Sequence, residues 1–255
     1  LLRQNGVNPI FIKGAGYLMQ GLYLDNSERM IGDIDLLVSN DNFLKSIEVL
    51  ILNGYEISIS SYRPTPKFRH FSRLVKNDKI AAVEIHKEMV DEKYVSEFNY
   101  ETIKNNIIQI NGFSVLGYND QKALSIFSNQ INDNGFDYKT IGLKNAYDFL
   151  LLNSKEPGTD FVSRFNKLKN PILCFLATAD YLFGDLGLAF NNNKKAQKYL
   201  KGFKRFLDNP KKRNFYIKII RLRLFLVYRT KIILRCFVSK EYRAWLYKRV
   251  LARQW

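Results

Sequence analysis

The sequence predicts an α+β protein, in which a mixed sheet with helices is followed by an all-helical region. Two observations support this prediction. Up to about residue 116, short apolar runs alternate with polar residues at a period of two, which is typical of β-strands. From residue 118 onward, apolar residues recur at the helical period of 3.6. We therefore expect two domains, residues 1–117 and residues 118–255.

The strand signals are short and are separated by turn residues. The predicted strands occupy residues 9–13, 30–38, 55–60, 68–76, 79–88, 107–110 and 113–116. The last two flank Asn111-Gly112, a strong signal for a two-residue hairpin turn. The pair before them flanks Asn77-Asp78 and is expected to form a second hairpin.

Helical signals are sparse at first and then continuous. The predicted helices occupy residues 17–24, 41–52, 120–131, 140–153, 159–169, 172–189, 193–207, 213–238 and 239–252. The first of them is expected to follow a turn made by Gly14, Ala15 and Gly16. Together the two sets of signals place a sheet early in the chain and a helical region after it.

The charge of the chain is concentrated near its end. The net charge is +16, and residues 201–255 hold 17 of the 40 Lys and Arg residues but two of the 24 acids, a local net charge of +15. Such a block indicates an anionic partner. Three interpretations stay open: a helical bundle with a solvated basic face, an interfacial helix on an anionic membrane, or a face that binds nucleic acid.

The cysteine content and the lengths of the apolar runs limit the possible cellular locations of the protein. Cys174 and Cys236 lie in apolar helical stretches, so we expect free thiols with no disulfide partner. No uninterrupted run of about 20 apolar residues predicts a spanning helix. We expect a cytoplasmic protein, with a peripheral position at the inner membrane face. The sequence begins without Met, at a stretch that has the character of a helix end, so we also expect an upstream segment.

Asp33 and Asp35 are the first residues that indicate chemistry. They stand two apart in an apolar strand, so both carboxylates project from one face. Two partly buried carboxylates repel each other, and divalent cations with oxygen ligands compensate such a pair well. The pattern therefore predicts a metal site at this strand.

Two further motifs are expected near these carboxylates. Lys13 and the glycine turn after it follow a strand and precede a helix, an arrangement in which backbone N–H groups can approach phosphates. Glu84 and His86 share one face of another strand. Glu84 can complete a two-metal site or accept a proton. His86 is expected to have a structural or substrate-orienting role rather than to bind metal, whereas His70 is expected at the surface.

Arg29 stands four residues before the first of the paired aspartates. A guanidinium there can reach a triphosphate, because its forked donors suit phosphate oxygens. An ordinary solvated arginine fits the same spacing, so the role of this residue stays open.

These motifs, in this order, resemble the uncharacterised nucleotidyltransferase family of the polymerase-beta-like superfamily. The resemblance extends over about residues 1–155. It rests on Lys13-Gly14-Ala15, Arg29, Asp33-Ile34-Asp35-Leu36-Leu37-Val38, Gly54-Tyr55, Val83-Glu84-Ile85-His86 and the helix with Leu143 and Asp148. It implies a polymerase-beta-like mixed sheet.

The resemblance also implies an activity and its cofactors. The activity is transfer of a nucleoside monophosphate from an NTP such as ATP to an acceptor, with loss of pyrophosphate. Gly14, Ala15 and Gly16 would form the turn on the triphosphate, and Asp33, Asp35 and Glu84 would hold two Mg²⁺ ions. Ala15 departs from the serine that many members have, so Lys13 or Arg29 would take over its contact with phosphate.

The acceptor is left open by the sequence. We expect a small or lipid-linked biosynthetic intermediate, since a basic protein suits cationic acceptors poorly. One alternative is a toxin-like nucleotidyltransferase that modifies RNA or a tRNA end. Another is a non-catalytic nucleotide-binding protein, which the retention of all three carboxylates argues against.

Overall fold

A computed structural model describes residues 1–58, 65, 68–184, 186 and 193–251. Its strands are β1 (Ile10–Phe11), β2 (Asp33–Leu37), β3 (Glu56–Ile57), β4 (Leu74–Val75), β5 (Ala82–His86), β6 (Ile107–Ile110) and β7 (Phe113–Leu116). In this part of the chain they form one sheet in the order β3-β4-β5-β2-β1-β7-β6. The sheet is mixed, as predicted, because β2 is parallel to β5 and β1 to β7 while the other pairs are antiparallel.

The helices follow the predicted order with shifted bounds. They are α1 (Lys13–Met19), α2 (Asn40–Leu52), α3 (Tyr100–Ile103), α4 (Tyr118–Phe127), α5 (Gly135–Tyr138), α6 (Leu143–Lys155), α7 (Lys169–Phe183), α8 (Lys194–Asp208), α9 (Pro210–Val238) and α10 (Lys240–Leu251). A π-helical turn, Ser128–Asn132, continues α4. The α+β class with a helical C-terminal region is therefore confirmed.

Both predicted hairpins are present. At the turn between β6 and β7, Asn111 has φ +50° and Gly112 has φ +79°, the left-handed conformation that this turn requires. In the other hairpin the paired strands are shorter than predicted, with Leu74 opposite Val83. Of the predicted strand 55–60, residues 59 and 60 lie outside the described residues.

Two predicted helices are wrong. The first begins at Lys13 rather than residue 17, so the glycines lie inside its first turn. Residues 159–169 are not one helix but a short 3₁₀ segment, Asp160–Arg164, separated from α7. The end of the predicted helix 172–189 falls partly outside the described residues, as does residue 252.

The sheet and the helices share one apolar core. Ile10 and Leu37 of the central strands belong to the same buried cluster as Phe127 and Phe149 of α4 and α6. Their burial removes apolar surface from water on both sides of residue 118. The apolar core thus continues across residue 118. The division into two domains, residues 1–117 and 118–255, stays a proposal.

The long helix α9 and the final helix α10 lie against this body through few buried residues. Ile220 and Ile232 are buried on α9, and Tyr242 is buried on α10. Arg235 donates hydrogen bonds to the Tyr242 hydroxyl and to Glu92 near the sheet. Among the described helices, none has the length and apolar character that crossing a bilayer demands.

The aromatic centre of the core gives a stability prediction. The rings of Phe98, Phe127 and Phe165 pack edge to face, with centroids 5.1 to 6.0 Å apart. We expect Phe127→Ala to lower the free energy of unfolding by about 3–5 kcal/mol, because it leaves a cavity between the other two rings. Phe215→Ala, at a site 68% exposed, should change it by about 0.5 kcal/mol or less. Urea titration compares them, and equal losses would contradict this packing.

Candidate active site

The pairing of β2 with β5 assembles the candidate site. In this parallel pair Asp35 stands opposite Glu84, and Asp33 lies two residues before Asp35 on the same face. His86 follows Glu84 by two residues, so its ring also points to this face. The structure thus brings together the three carboxylates and the histidine that the sequence separates by about 50 positions.

Asp35 is the most buried of the three carboxylates. Lys13 donates a hydrogen bond to its Oδ1 at 2.5 Å, and Nε2 of His86 lies 2.6 Å from the same oxygen. Burial alone would raise the pKa of Asp35, but the charge of Lys13 and the hydrogen bond with His86 together lower it below its ordinary value. Asp35 is therefore held as a carboxylate.

Arg73 compensates the other two carboxylates, and the sequence analysis missed it. Its Nη2 lies 2.6 Å from Oδ2 of Asp33, and its Nε lies 3.4 Å from Oε1 of Glu84. Arg73 is next to β4, which is antiparallel to β5. Opposite charges on neighbouring strands stabilise each other, so the predicted hairpin was the signal that could have located this residue.

The prediction that His70 lies at the surface is wrong. Its side chain is 17% exposed, and its ring centroid lies 4.7 Å from that of His86. Nδ1 of His70 is 3.8 Å from Oε2 of Glu84. Burial, together with the charge of His86, lowers the pKa of His70 to about 4. At neutral pH this ring is therefore uncharged.

The donor set suits a divalent cation. Asp35, Glu84 and His86 each offer one ligand atom, and these three atoms lie within 4.8 Å of one another. Asp33 adds a third carboxylate to Asp35 and Glu84, and the three supply the hard oxygen ligands that Mg²⁺ prefers. The imidazole nitrogen of His86 also suits Mn²⁺ or Zn²⁺. Lys13 contacts Oδ1 of Asp35, and Arg73 contacts Asp33 and Glu84, so a bound cation would compete with these two side chains for the carboxylates.

The glycine motif lies beside this group. Lys13 begins α1 with φ +53°, a left-handed conformation that is strained for a lysine. A Cβ atom on Gly14 would stand 2.6 Å from Cγ2 of Ile31, and one on Gly16 would stand 2.8 Å from the Phe11 carbonyl oxygen. Close packing therefore requires both glycines, whatever they bind.

Arg29 is buried and paired. Its Nε and Nη2 lie 3.1 and 3.2 Å from the two carboxylate oxygens of Asp148 on α6, and Tyr23 donates a 2.6 Å hydrogen bond to that carboxylate. Burial lowers the pKa of Arg29, but the charge of Asp148, the effect of Tyr23 and the hydrogen bonds with both together raise it. A solvated loop arginine is thus excluded, and the Arg29–Asp148 pair joins the sheet region to α6.

A cavity of about 230 Å³ opens in front of these groups. Its walls come from both parts of the chain, because α1 and β2 line one side and the π-helical turn and α6 line the other. Residues that the sequence analysis did not predict also line it, namely Arg69, Asp133, Lys144 and Asn145. Burial raises the pKa of Asp133. Lys144 and Asn145 lie within the helix motif of the family resemblance, between Leu143 and Asp148, whereas no sequence motif indicated Arg69 or Asp133.

Comparisons with known proteins agree with the motifs. A family model described as an uncharacterised nucleotidyltransferase matches residues 1–183, so the family that the motifs resemble is confirmed. No curated protein and no solved structure matches the chain.

The pKa of His70 gives a pH prediction. The chain has two histidines, so NMR titration with His70→Gln and His86→Gln as references can assign both rings. We expect His70 to titrate near pH 4, below its ordinary value of about 6.5.

The sign of the stability effect follows from this shift. Because the folded-state pKa is the lower one, stability is fully present above about pH 6.5 and declines as the pH falls towards 4. His70→Gln should flatten this decline. Titration of His70 near pH 6.5 would contradict its burial.

Proposed function

The chain belongs to the uncharacterised nucleotidyltransferase family, and we propose that it transfers a nucleoside monophosphate from an NTP to an acceptor hydroxyl in a Mg²⁺-dependent reaction. The observation that carries this proposal is the convergence of Asp33, Asp35 and Glu84 on one face of the sheet, beside a cavity. Nucleotidyl transfer needs alignment and cationic compensation more than covalent help from the protein.

Two Mg²⁺ ions on the three carboxylates would neutralise charge on the triphosphate and make the attacking hydroxyl more acidic. Asp33 and Asp35 would bind both ions, and Glu84 would complete the set. Lys13, released from Asp35, would then lie free to contact the phosphates near Gly14, Ala15 and Gly16. This exchange suits a lysine, whose long side chain and compact charge can move between two anions.

The remaining residues of the site would bind the triphosphate or hold other site residues in position. Lys144 lines the cavity from α6 and would contact the triphosphate. Arg29 is engaged by Asp148, so we assign it mainly to support of the backbone at Gly14, where an added Cβ would stand 3.4 Å from its Nη2. His86 would hold the orientation of Asp35.

The reaction is a displacement at the α-phosphorus. The acceptor oxygen forms a bond to that phosphorus, the bond to the bridging oxygen breaks, and pyrophosphate leaves with the electron pair. Glu84 would accept the hydroxyl proton. Burial raises its pKa, but the hydrogen bond with His86 and the electrostatic effects of His70 and His86 together lower it below its ordinary value, so it is ionised at neutral pH.

The outer face of α9 supports a position at a membrane. Six apolar side chains that are 47 to 78% exposed recur at helical spacing over about 33 Å: Phe215, Ile219, Leu222, Leu226, Ile233 and Phe237. We call them the α9 stripe. The bundle interpretation needs this stripe buried, but it faces away from the described body. The exposed cations Lys218 and Arg221 flank it.

An exposed apolar stripe with flanking cations fits the surface of an anionic bilayer. RNA would use the cations but not the apolar side chains. We therefore propose that the chain is peripheral to the inner face of a membrane and that its acceptor is lipid-linked or small. A cytoplasmic location is supported by the free thiols of Cys174 and Cys236.

The metal site is tested by binding of Mg²⁺ with each NTP in calorimetric titrations. We expect Asp33→Asn and Asp35→Asn to weaken Mg²⁺-dependent NTP binding at least about tenfold, because each removes a charged ligand. Glu101→Gln, at an exposed acid paired with Lys104, is the matched control and should bind as the wild type does. Unchanged titrations for both aspartate variants would remove the metal site from the proposal.

Activity is followed with α-labelled ATP, CTP, GTP or UTP and separated cell fractions. Label should enter lipid or small-molecule fractions with the wild type and not with Asp35→Asn. Label found in RNA alone would establish the RNA-modifying alternative. Nucleotide binding without transfer to any fraction would favour a non-catalytic binding protein.

Membrane binding is tested with vesicles of phosphatidylcholine, with or without phosphatidylglycerol. The full chain should float with the anionic vesicles, and Leu222→Ser with Leu226→Ser should weaken binding about tenfold or more, since two apolar contacts are lost. Leu44→Ser with Leu52→Ser removes two exposed leucines of α2 and is the matched control. RNA binding without vesicle binding, or a dimer that the stripe variants dissociate, would contradict the membrane assignment.

A further inference from the structure

A second and larger cavity lies between the sheet and the last two helices. Its volume is about 690 Å³. One wall follows the end of β5, with Lys87, Glu88 and Val90, and the opposite wall comes from α9 and α10, with Ile232 and Tyr242. The basic section of the chain therefore closes a compartment beside the candidate active site.

Arg69 joins the two cavities. It lines both the 230 Å³ cavity of the carboxylates and the 690 Å³ cavity. Its backbone carbonyl accepts hydrogen bonds from the N–H groups of Lys87 and Glu88, so its position is fixed by β5. A group bound at Arg69 would thus lie at the passage between the metal site and the larger compartment.

The guanidinium of Arg69 has no anionic partner among the described residues. It lies over the ring of Phe68, 5.6 Å from the centroid. Arg29 and Arg73 are both ion-paired, whereas the side chain of Arg69 forms neither a hydrogen bond nor an ion pair with the described residues. Burial lowers its pKa, although the charges of Asp133 and Glu84 oppose this effect. A partly buried guanidinium without an anionic partner is unfavourable unless a bound anion completes it.

Glu88 offers a second unsatisfied group in the same cavity. Its Oε2 atom is buried and has no hydrogen-bond partner, and burial raises the pKa of this carboxyl. A hydroxyl or N–H group of a ligand in the cavity would satisfy it.

Apolar and polar side chains share the rest of the wall, and Asn40, Thr65, Lys87 and Asp91 are among the polar ones. Val90, Val95, Ile232 and the ring of Tyr242 face the compartment. Lys231 and Arg235 stand at its rim, where both pair with Glu92. The same two cations border an apolar groove on the outside of α9, lined by Leu226, Val227, Leu234 and Val238. An apolar path therefore leads from the cavity to the α9 stripe.

We propose that the 690 Å³ cavity is the acceptor site and that it takes an amphipathic phosphate, with the phosphate at Arg69 and the apolar part towards α9. This inference rests on the proposed nucleotidyl transfer, since it places the acceptor beside the metal site. Glu88 would contact a hydroxyl or N–H group of the acceptor. The apolar part would leave between Lys231 and Arg235.

The probe is octyl phosphate, titrated calorimetrically into the full chain below its micelle concentration. Inorganic phosphate and octyl glucoside separate the contributions of the charge and the alkyl chain. We expect octyl phosphate to bind at least about tenfold more tightly than either. Equal affinity for inorganic phosphate would overturn the amphipathic assignment, and equal affinity for octyl glucoside would overturn the anionic one.

Two variants test the location. Arg69→Met should weaken octyl phosphate binding about tenfold or more, because the anion loses its charged donor. Ser96→Trp, at an exposed residue of the rim, should do the same by filling the cavity. Arg213→Met, on an exposed part of α9, and the pair Phe215→Ser with Ile219→Ser, two exposed residues of the α9 stripe that do not line the groove, are controls that should keep wild-type affinity. Binding lost only in this pair would place the probe on the α9 stripe and overturn the proposal.

Binding of Mg²⁺ with NTP is measured separately on the wild type. If NTP binds and octyl phosphate does not, the acceptor inference fails while the proposed function stands. If Arg69→Met weakens NTP binding and leaves octyl phosphate unaffected, Arg69 belongs to the triphosphate and the inference also fails. Loss of Mg²⁺-dependent NTP binding in the wild type would instead contradict the proposed function.

Discussion

The parallel pairing of β2 with β5 concentrates negative charge, and the surrounding structure compensates it. Three carboxylates share one face there, and like charges this close would protonate at least one of them if nothing opposed the repulsion. Lys13 and Arg73 supply two positive charges directly on those oxygens, and Nε2 of His86 lies 2.6 Å from the carboxylate of Asp35. Divalent cations could replace Lys13 and Arg73 as the positive charges that compensate the carboxylates.

The Arg29–Asp148 ion pair holds together the two parts of the chain that line the cavity. A buried ion pair contributes little net stability, because desolvation offsets much of the attraction, but removal of one partner leaves an unfavourable buried charge. The pair therefore fixes α6 against the turn before β2 more than it strengthens the fold. Residues from both sides of position 118 line the cavity as a result, so a domain boundary there would run through the site rather than beside it.

The sequence predicted what depends on local pattern. Alternation located the strand of Asp33 and Asp35, and the spacing of Glu84 and His86 put them on one face. Local pattern could not predict contacts between side chains that are distant in sequence, so Arg73 and Arg69 were missed and His70 was predicted at the surface. The start of α1 was wrong because glycines usually mark a turn, whereas here contacts with Ile31 and Phe11 select them inside a helix. Periodicity found the apolar side of α9, but only tertiary packing decides whether such a side is buried.

The apolar side of an amphipathic helix usually faces the core of the protein, whereas the α9 stripe faces away from it. Ile232 and Ile233 are neighbours in sequence, yet the first is buried against the body and the second is exposed on the α9 stripe. One side of α9 contacts the protein body, and its other side exposes apolar residues that no described residue covers. Burial of these residues would need a second apolar surface. If the second is a bilayer, the cavity behind α9 is the nearest enclosed space to it. An amphipathic acceptor could then reach the carboxylates without its apolar part entering bulk water, and this would favour a lipid-linked substrate over a soluble one of the same head group.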